Sequence, residues 1–446
     1  MAKNAPAPVP PITTLPDLID HLKAAAQVEL STIPLYLYAT YSIKTRGYSQ
    51  WAAGASAQRT MIGISIEEML HLTLVRNLLI AVGDTDFRLY DEQVVPTYPS
   101  PMLKREPELT LHLRKLSTDQ VANTFMGIEL PDQHLKELLG DIAPYDSLGE
   151  FYARIEQGIR NLSLAGAHGS DGAQAPDAID WTKAKKDLWK FQYHRGYWNQ
   201  NGGSDQPLVI IDENSAIQAM QIIVDQGEGA PGDNYSLPDP IVRTDDHPPE
   251  KLGKWQASHF AKFSAIAKGL DGIGVVVDDN GRQKYTIDDS EVIWPVLDDP
   301  KLATVDADQP VKELMEFSNA VYCYVLALLD TIYRTPMEAM DPSNKQPFTD
   351  STRYAYERGF IAVMQGVLYP VADLLVRTPL KASEPSTHAG PPFEFYAFTT
   401  KNARGRLTPK ADLVALCGKL LERFPSLGGD DGVQRQITLL PDIELG

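Results

Sequence analysis

The stretch AQVELSTIPLYLYATY, residues 26–41, is an apolar segment with helical spacing that contains one glutamate, Glu29, and one proline, Pro34. A proline inside a helix removes a backbone hydrogen bond and costs roughly 3 kcal/mol. A buried carboxylate without a partner takes up a proton or moves to water. Glu29 therefore needs a partner if this helix is buried, and a cation in the protein interior would be one.

Apolar residues at helical spacing extend this helix back to residue 15, and a second long helix is predicted in ASAQRTMIGISIEEMLHLTLVRNLLIAVG, which ends at Gly83. A third amphipathic helix is predicted in DSLGEFYARIEQGIRNLSLAG. The fourth is split, because one part ends near Gln226 and the other resumes after a breaker-rich segment and contains His259. Four long helices predict an all-α bundle.

The rest of the chain adds insertions and a C-terminal extension. Residues 165–213 are predicted to be a large loop insertion with a short helix near 182–191. A β-hairpin with its turn at Asn280-Gly281 is predicted within 272–305. Three more helices are predicted at 309–334, 351–378 and 409–423. We therefore expect a bundle domain at 15–270, and a small hairpin with a helical extension packed on the bundle at 271–446.

Composition restricts the classes of partner and the compartment. The chain has 446 residues and a net charge of -18, which repels nucleic acid and anionic lipid surfaces. Its two cysteines are too few for a disulfide framework and suit a reducing compartment. The N-terminal sequence has no apolar core typical of a signal peptide, and no long uninterrupted apolar run predicts a membrane span. We expect a cytoplasmic protein.

The second helix contains EEMLHL, in which Glu68 and His71 are three residues apart and share one helix face. In four-helix carboxylate bundles, two helices each contribute a Glu and two contribute Glu-x-x-His around a pair of metal ions. The alternative is a solvated pair on the surface. Glu67 lies on another face of the same helix. It could support a metal ligand from outside the ligand set, but we expect it to be exposed.

The other helices also carry residues that could act as ligands. The first offers Glu29, the third offers Glu156 on a largely apolar face, and the resumed fourth helix offers His259. Gln256 stands where the Glu-x-x-His pattern requires a carboxylate, so we assign that role to Glu228, whose flanking glycines permit a non-helical backbone. The competing interpretation leaves Glu228 in solvent and the second metal position defective.

Together these residues make a predicted ligand set for two divalent ions. Four carboxylates balance the charge of two such ions, and carboxylates with imidazoles suit Fe or Mn. The predicted ligands, which are also the predicted catalytic residues, are Glu29, Glu68, His71, Glu156, Glu228 and His259.

Several segments as a set resemble a known family: AAQVELSTIPLYLYATYSIK, SIEEMLHLTLVRNLLIAVG, GEFYARIEQGI, IIVDQGEG, SHFAKF and HAGPPFEFY. They resemble the ferritin-like family typified by the iminophenylpyruvate-dimer synthase of violacein biosynthesis. That enzyme is longer, and this chain looks like its ferritin-like part standing alone. The resemblance implies an all-α ferritin-like four-helix bundle with long loop insertions and additional C-terminal helices, a metal site at the six residues above, and an oxidative role in secondary metabolism.

These observations favour a non-haem dimetal enzyme, an oxidase or oxygenase that holds two Fe ions, with Mn as the alternative metal, and uses O2 as co-substrate. Its substrate would be a small organic molecule, and a homodimer through the added helices is our expectation. Two other classes stay open. One is a ferritin-like metal-binding or storage protein without catalysis, and the other is a scaffold for pathway enzymes.

Overall fold

A computed structural model of the protein describes the residues 11–44, 55–102, 108–130, 148–167, 178–193, 207–227, 258–268, 287–306, 309–337, 352–381 and 384–446. Helices dominate these ranges, and the described strands are short. The predicted all-α class is confirmed. The predicted hairpin turn at Asn280-Gly281 lies outside the described residues.

The first two helices form the centre of the bundle. Helix α1, Leu15–Tyr41, begins where the Thr14 hydroxyl accepts a hydrogen bond from the Asp17 amide, and it continues through Pro34. Helix α2, Ala55–Ala81, is followed by Gly83 at a φ of 102°, a conformation that suits glycine and ends the helix where the sequence predicts. The two helices pack along their lengths, and residues 70–82 are all buried.

The remaining elements of the bundle surround one side of this pair. They are a π-helical turn, Gln120–Phe125, that continues into the short helix α3, Met126–Ile128, and the helices α4, Leu148–Ala167, α5, Trp181–Lys186, α6, Glu213–Gly227, and α7, His259–Ala267. Helix α4 packs on α1 and α6, and α6 packs on α2, which completes a four-helix bundle. Helix α7 lies against α2, α3 and α6.

The C-terminal helices cover another side of α1 and α2. Helix α8, Pro310–Arg334, packs against α9, Thr352–Val363, which continues through the π-helical turn Met364–Leu368 into α10, Tyr369–Arg377. Helices α11, Pro409–Leu420, and α12, Val433–Leu439, follow. Two antiparallel pairs complete the fold, β1, Ser100–Pro101, with β2, Thr110–Leu111, and β3, Pro379–Lys381, with β4, Glu384–His388.

The predicted division at residue 270 is not visible as a break in packing. Helix α10 contacts α1, and Ile43 pairs with Ile293 in an isolated bridge. One continuous apolar core includes residues from both predicted parts. The two-domain division stays a prediction.

One helical segment of the described chain, Arg353–Arg377, is long and apolar enough to cross a membrane by length and composition alone. This segment packs against α8 in the protein interior. Its residues Arg353 and Glu357 form a buried ion pair at 2.9 Å. Core helices of water-soluble proteins meet the same length and hydropathy criterion, so this segment is weak support for a membrane span.

Candidate metal centre

Five ionisable side chains from four parts of the chain meet inside the bundle. Helix α1 contributes Glu29, α2 contributes Glu68 and His71, α7 contributes His259, and Glu129 follows α3. Each of them is at most 2% exposed. Glu68, His71 and His259 each offer one ligand atom, and these atoms lie within 4.8 Å of one another, which suits a metal ion.

Glu68 lies between the two imidazoles. Its Oε1 atom is 2.8 Å from Nδ1 of His259 and 3.8 Å from Nδ1 of His71. Glu29 Oε2 is 3.5 Å from Nδ1 of His71, and Glu129 Oε1 is 3.6 Å from Nδ1 of His259. Each histidine therefore has its Nδ1 atom beside two carboxylates, and Glu68 is common to both pairs.

Three hydroxyl groups orient the carboxylates. Thr32 Oγ1 donates a hydrogen bond to Glu68 Oε2 at 2.7 Å, and the Tyr36 hydroxyl donates to Glu129 Oε1 at 2.8 Å. The Tyr152 hydroxyl donates to Glu29 Oε1. Thr32 and Tyr36 share a face of α1 with Glu29, because residues three, four and seven apart align on a helix. Gly227 ends α6 beside Glu129, where a Cβ atom would be 3.0 Å from Glu129 Oε2.

The outer nitrogens of the two histidines have different partners. Nε2 of His259 is 2.9 Å from Glu67 Oε2, and the same oxygen accepts a hydrogen bond from Lys262. Nε2 of His71 is 2.9 Å from Oε1 of the neutral Gln226 side chain. A carboxylate that accepts the outer N–H of a histidine fixes its orientation and strengthens the inner nitrogen as a ligand. The two histidines are therefore inequivalent.

The expectation that Glu67 is exposed is wrong. Its side chain is buried, because α2 is covered by α7 on the side where Glu67 projects. Burial alone would raise the pKa of Glu67, but the hydrogen bond with His259 and the charge of Lys262 lower it to about 2. Glu67 therefore carries a negative charge that is already paired with His259 and Lys262.

Replacing Glu67 with glutamine should weaken metal binding about 10- to 100-fold at the position beside His259, because the outer partner loses its charge. Titration of the metal-free protein with Mn(II) measures this. Lys262→Met is the matched control, since it leaves the contact between Glu67 and His259, and it should keep the affinity. Unchanged Mn(II) affinity in Glu67→Gln would contradict the positioning role.

Burial acts strongly on the inner carboxylates. It raises the pKa of Glu29 to about 7 and also raises the pKa of Glu68, to which the nearby charge of Glu129 contributes. Burial lowers the pKa of His71. Burial alone would also lower the pKa of His259. Its three acidic neighbours, of which Glu129 has the largest effect, nevertheless raise this pKa well above the usual range.

The residues present fit a cation. Nδ1 of His259 is buried and makes no hydrogen bond of acceptable geometry within the described part of the chain, although two carboxylates lie close to it. Three inner carboxylates share this dry space, where unpaired charges are costly. A divalent ion would take Nδ1 of His259 as a ligand and would neutralise the acids.

Metal binding should release more protons at pH 6 than at pH 8. With a pKa of about 7, Glu29 is largely protonated at pH 6 and ionised at pH 8, and Glu68 is shifted in the same direction. A metal displaces these protons, so its affinity should rise with pH through this range. We expect roughly one to two additional protons per chain at pH 6.

Calorimetric titration with Mn(II) in two buffers of different ionisation enthalpy measures the released protons. Glu29→Gln should reduce the difference between the two pH values, because one titrating group is removed. Equal proton release at pH 6 and pH 8 in the unsubstituted protein would show that Glu29 and Glu68 are ionised before the metal binds.

The structure brings together four of the six residues predicted as ligands, namely Glu29, Glu68, His71 and His259. The prediction that the Glu156 side chain joins the other ligands is wrong. This side chain is 26% exposed, and its Oε1 atom accepts hydrogen bonds from Arg160, one turn along α4. Helix α4 instead contributes Tyr152, through its bond to Glu29. Glu228 and Gln256 lie outside the described residues, so the role predicted for Glu228 stays a prediction.

Glu129 is the acid that sequence reasoning missed. It stands in TFMGIELP as a lone carboxylate among apolar residues, which is the same signal that identified Glu29. The segment has the pattern of a short helix, whereas the carboxylate-bundle motif places its ligands on four long helices. A search for isolated acids in every apolar segment would have found it.

Comparison with known proteins agrees with this architecture. Residues 22–268 match the family model described as Ferritin-like. Dichlorochromopyrrolate synthase of Lentzea aerocolonigenes is 25% identical over 476 residues, covering 97% of this chain and 40% of that protein. The 2-imino-3-(indol-3-yl)propanoate dimerase of Chromobacterium violaceum is 26% identical over 424 residues, covering 87% and 35% respectively. The chain thus spans at most 40% of the length of these curated relatives.

A solved structure is also similar, the crystal structure of a ferritin-like protein from Caulobacter vibrioides. It is 21% identical, with a TM-score of 0.41, and the alignment covers 81% of this chain and 98% of that one. The resemblance stated from the sequence motifs is confirmed by the family match and by the two curated relatives. Because the family match extends over more than half of its residues, the chain belongs to the ferritin-like family.

Proposed function

We propose that this protein is a non-haem dimetal oxidoreductase that oxidises a small organic substrate with O2. Two Fe ions are the proposed metals, with Mn as the alternative. The observation that supports this most strongly is the cluster of three buried inner carboxylates with two imidazoles, each of which has its Nδ1 atom beside carboxylate oxygens. Carboxylates with imidazoles suit iron and manganese better than thiolate-selected metals.

The side chains divide into ligands and groups that position them. Glu29, Glu129, Glu68, His71 and His259 would hold the metals, and Glu68 lies between the two histidines. Bound iron supplies the capacity to activate O2. Thr32, Tyr36 and Tyr152 orient the carboxylates through their hydroxyl groups, and Glu67 and Gln226 orient the imidazoles.

The substrate is proposed to enter between α4 and α6. A small cavity beside the metal centre is lined there by Leu148, Gly149, Ile223, Val224 and Gly227, in addition to the acidic residues and Tyr152. Half of its lining residues are apolar, and the other half, which include His71, belong to the metal centre. In the minimal oxidase reaction the substrate loses two electrons and two protons, and O2 accepts them to form hydrogen peroxide.

The relatives support a substrate class. One is named as the synthase of dichlorochromopyrrolate and the other as the dimerase of 2-imino-3-(indol-3-yl)propanoate. We extend to this chain a small, amino-acid-derived substrate in secondary metabolism. Because the chain spans at most 40% of each relative, their complete reactions are not transferred to it.

Oxygen consumption tests the proposed function. The protein is loaded anaerobically with Fe(II), mixed rapidly with air-saturated buffer, and followed with an oxygen electrode. We expect rapid consumption limited by about two Fe(II) per chain, because the proposed centre holds two ions. The double variant Glu68→Ala, His71→Ala should consume no O2 above buffer.

The same experiment separates the alternatives. A storage protein would continue to consume O2 as tens of Fe(II) are added per chain, and gel filtration would show a large shell. A scaffold would bind no stoichiometric metal. Either result would overturn the oxidase proposal.

A further inference from the structure

The two histidines of the metal centre lie side by side but are held by different groups on their outer sides. The ring centroids of His71 and His259 are 5.4 Å apart. The outer nitrogen of His259 meets the carboxylate of Glu67, which Lys262 also contacts. The outer nitrogen of His71 meets the neutral amide of Gln226. A carboxylate behind an imidazole strengthens it as a metal ligand, by about 10- to 100-fold in affinity.

The two histidines also differ in access. The small cavity beside the metal centre is lined by His71, together with Glu29, Glu68 and Glu129. His259 is not among the described residues that line this cavity, and its side chain is fully buried. It is the first residue of α7, which packs against α2, α3 and α6. A molecule in the cavity therefore meets the imidazole of His71 and not that of His259.

We propose that the two metal positions have different roles. The position beside Nδ1 of His259 binds its ion first and retains it. The position beside Nδ1 of His71 binds the second, exchangeable ion, which small molecules reach from the cavity. Glu67 and Gln226 are the positioning residues that set this difference. The inference rests on the proposed dimetal centre, to which it adds an order of filling and a side of approach.

Titration of the metal-free protein with Mn(II) tests the order of filling. The electron paramagnetic resonance signal of the free ion measures how much remains unbound. We expect about two equivalents per chain, with dissociation constants at least about 10-fold apart. His259→Ala should remove the tighter phase, and His71→Ala should remove the weaker one. Circular dichroism of the metal-free variants verifies that they are folded.

Two conservative substitutions test the cause of the difference, each in a variant that keeps one position. In the His71→Ala protein, Glu67→Gln should weaken the remaining phase about 10-fold or more, because the outer partner of His259 loses its charge. In the His259→Ala protein, Gln226→Glu should tighten the remaining phase about 10-fold, because His71 gains a charged partner. Glu67→Gln in the His259→Ala protein is the matched control and should change the affinity by less than about two-fold.

Azide, a small anion that binds metal ions, tests the side of approach. The visible absorption of protein loaded with Co(II) reports azide binding to the metal. We expect no spectral change at one equivalent of Co(II) and a clear change at two. Val224→Trp fills the cavity and should prevent the change while keeping both phases of Mn(II) binding. Gln221→Trp, at an exposed position of the same helix, is the matched control and should retain the change.

Two equivalents of equal affinity would overturn this inference but not the oxidase proposal, which O2 consumption tests separately. The same holds if the tighter phase is lost in His71→Ala and kept in His259→Ala, or if azide already changes the spectrum at one equivalent of Co(II). A total of one bound equivalent would overturn both the inference and the dimetal centre. If Val224→Trp does not fold, the comparison of one and two equivalents of Co(II) in the unsubstituted protein still decides the side of approach.

Discussion

Replacing Glu68 with glutamine is expected to abolish tight metal binding, with a loss of at least ~100-fold in affinity, and with it all O2 consumption by Fe(II)-loaded protein. The amide keeps the size of the side chain but removes the charge beside both imidazoles. Glu68 Oε1 is the oxygen that approaches Nδ1 of His259 and of His71, so the change affects the whole centre. Metal analysis of the purified protein and Mn(II) titration measure the loss.

Glu156→Gln is the matched control for this prediction. It makes the same substitution at an acid in another bundle helix, but the Glu156 side chain is bonded to Arg160 and partly exposed. Metal content should stay unchanged. Glu129→Gln should weaken binding, because Glu129 lies beside His259. If Glu156→Gln lost the metal and Glu129→Gln kept it, the assignment from the structure would be refuted in favour of the assignment from the sequence.

Replacing Arg353 with methionine is expected to destabilise the protein by about 3–5 kcal/mol, because it leaves a buried carboxylate unpaired. Arg353 is 1% exposed and bonds to Glu357 at 2.9 Å. Its other donors reach the carbonyls of Lys190, Thr335 and Gln192. One guanidinium thus joins α9 to the end of α8 and to the chain after α5. Chemical denaturation followed by circular dichroism measures the free energy of unfolding.

Arg377→Met is the control, in the same helical segment and with the same spacing to its acid. Arg377 bonds to Asp373 at 2.9 Å, but the arginine side chain is 46% exposed, and exposed pairs contribute at most about 1 kcal/mol. The double variant Arg353→Met, Glu357→Met should recover part of the lost stability, because the stranded carboxylate is also removed. Similar losses for Arg353→Met and Arg377→Met would contradict the importance of burial.

Local pattern was sufficient for the long helices and for the paired ligands on them. Periodicity of apolar residues located α1, α2, α4 and α8, because a face buried against neighbours must repeat every three to four residues. The same geometry placed Glu68 and His71 on one face. Glu29 was identified because an acid in an apolar run is costly unless it is paired.

The local sequence pattern did not predict the role of a residue where that role depends on which segment packs against it. Glu156 and Tyr152 are one helical turn apart on α4, and the sequence does not say which of them reaches α1. The structure shows that Tyr152 does, and that Glu156 has Arg160 as its partner. Glu67 was expected at the surface, but α2 has no free face there, because α7 covers it.

The sequence by itself determined the all-helical class, the long helices, and the carboxylate and histidine on α2 with their counterparts Glu29 and His259. Only the tertiary structure showed that Glu129 lies beside these residues and that Glu156 does not. It also showed that Glu67 contacts the outer nitrogen, Nε2, of His259. The physical reason is that helical periodicity sets which residues share a face, whereas the partner of that face depends on how separate segments pack around it.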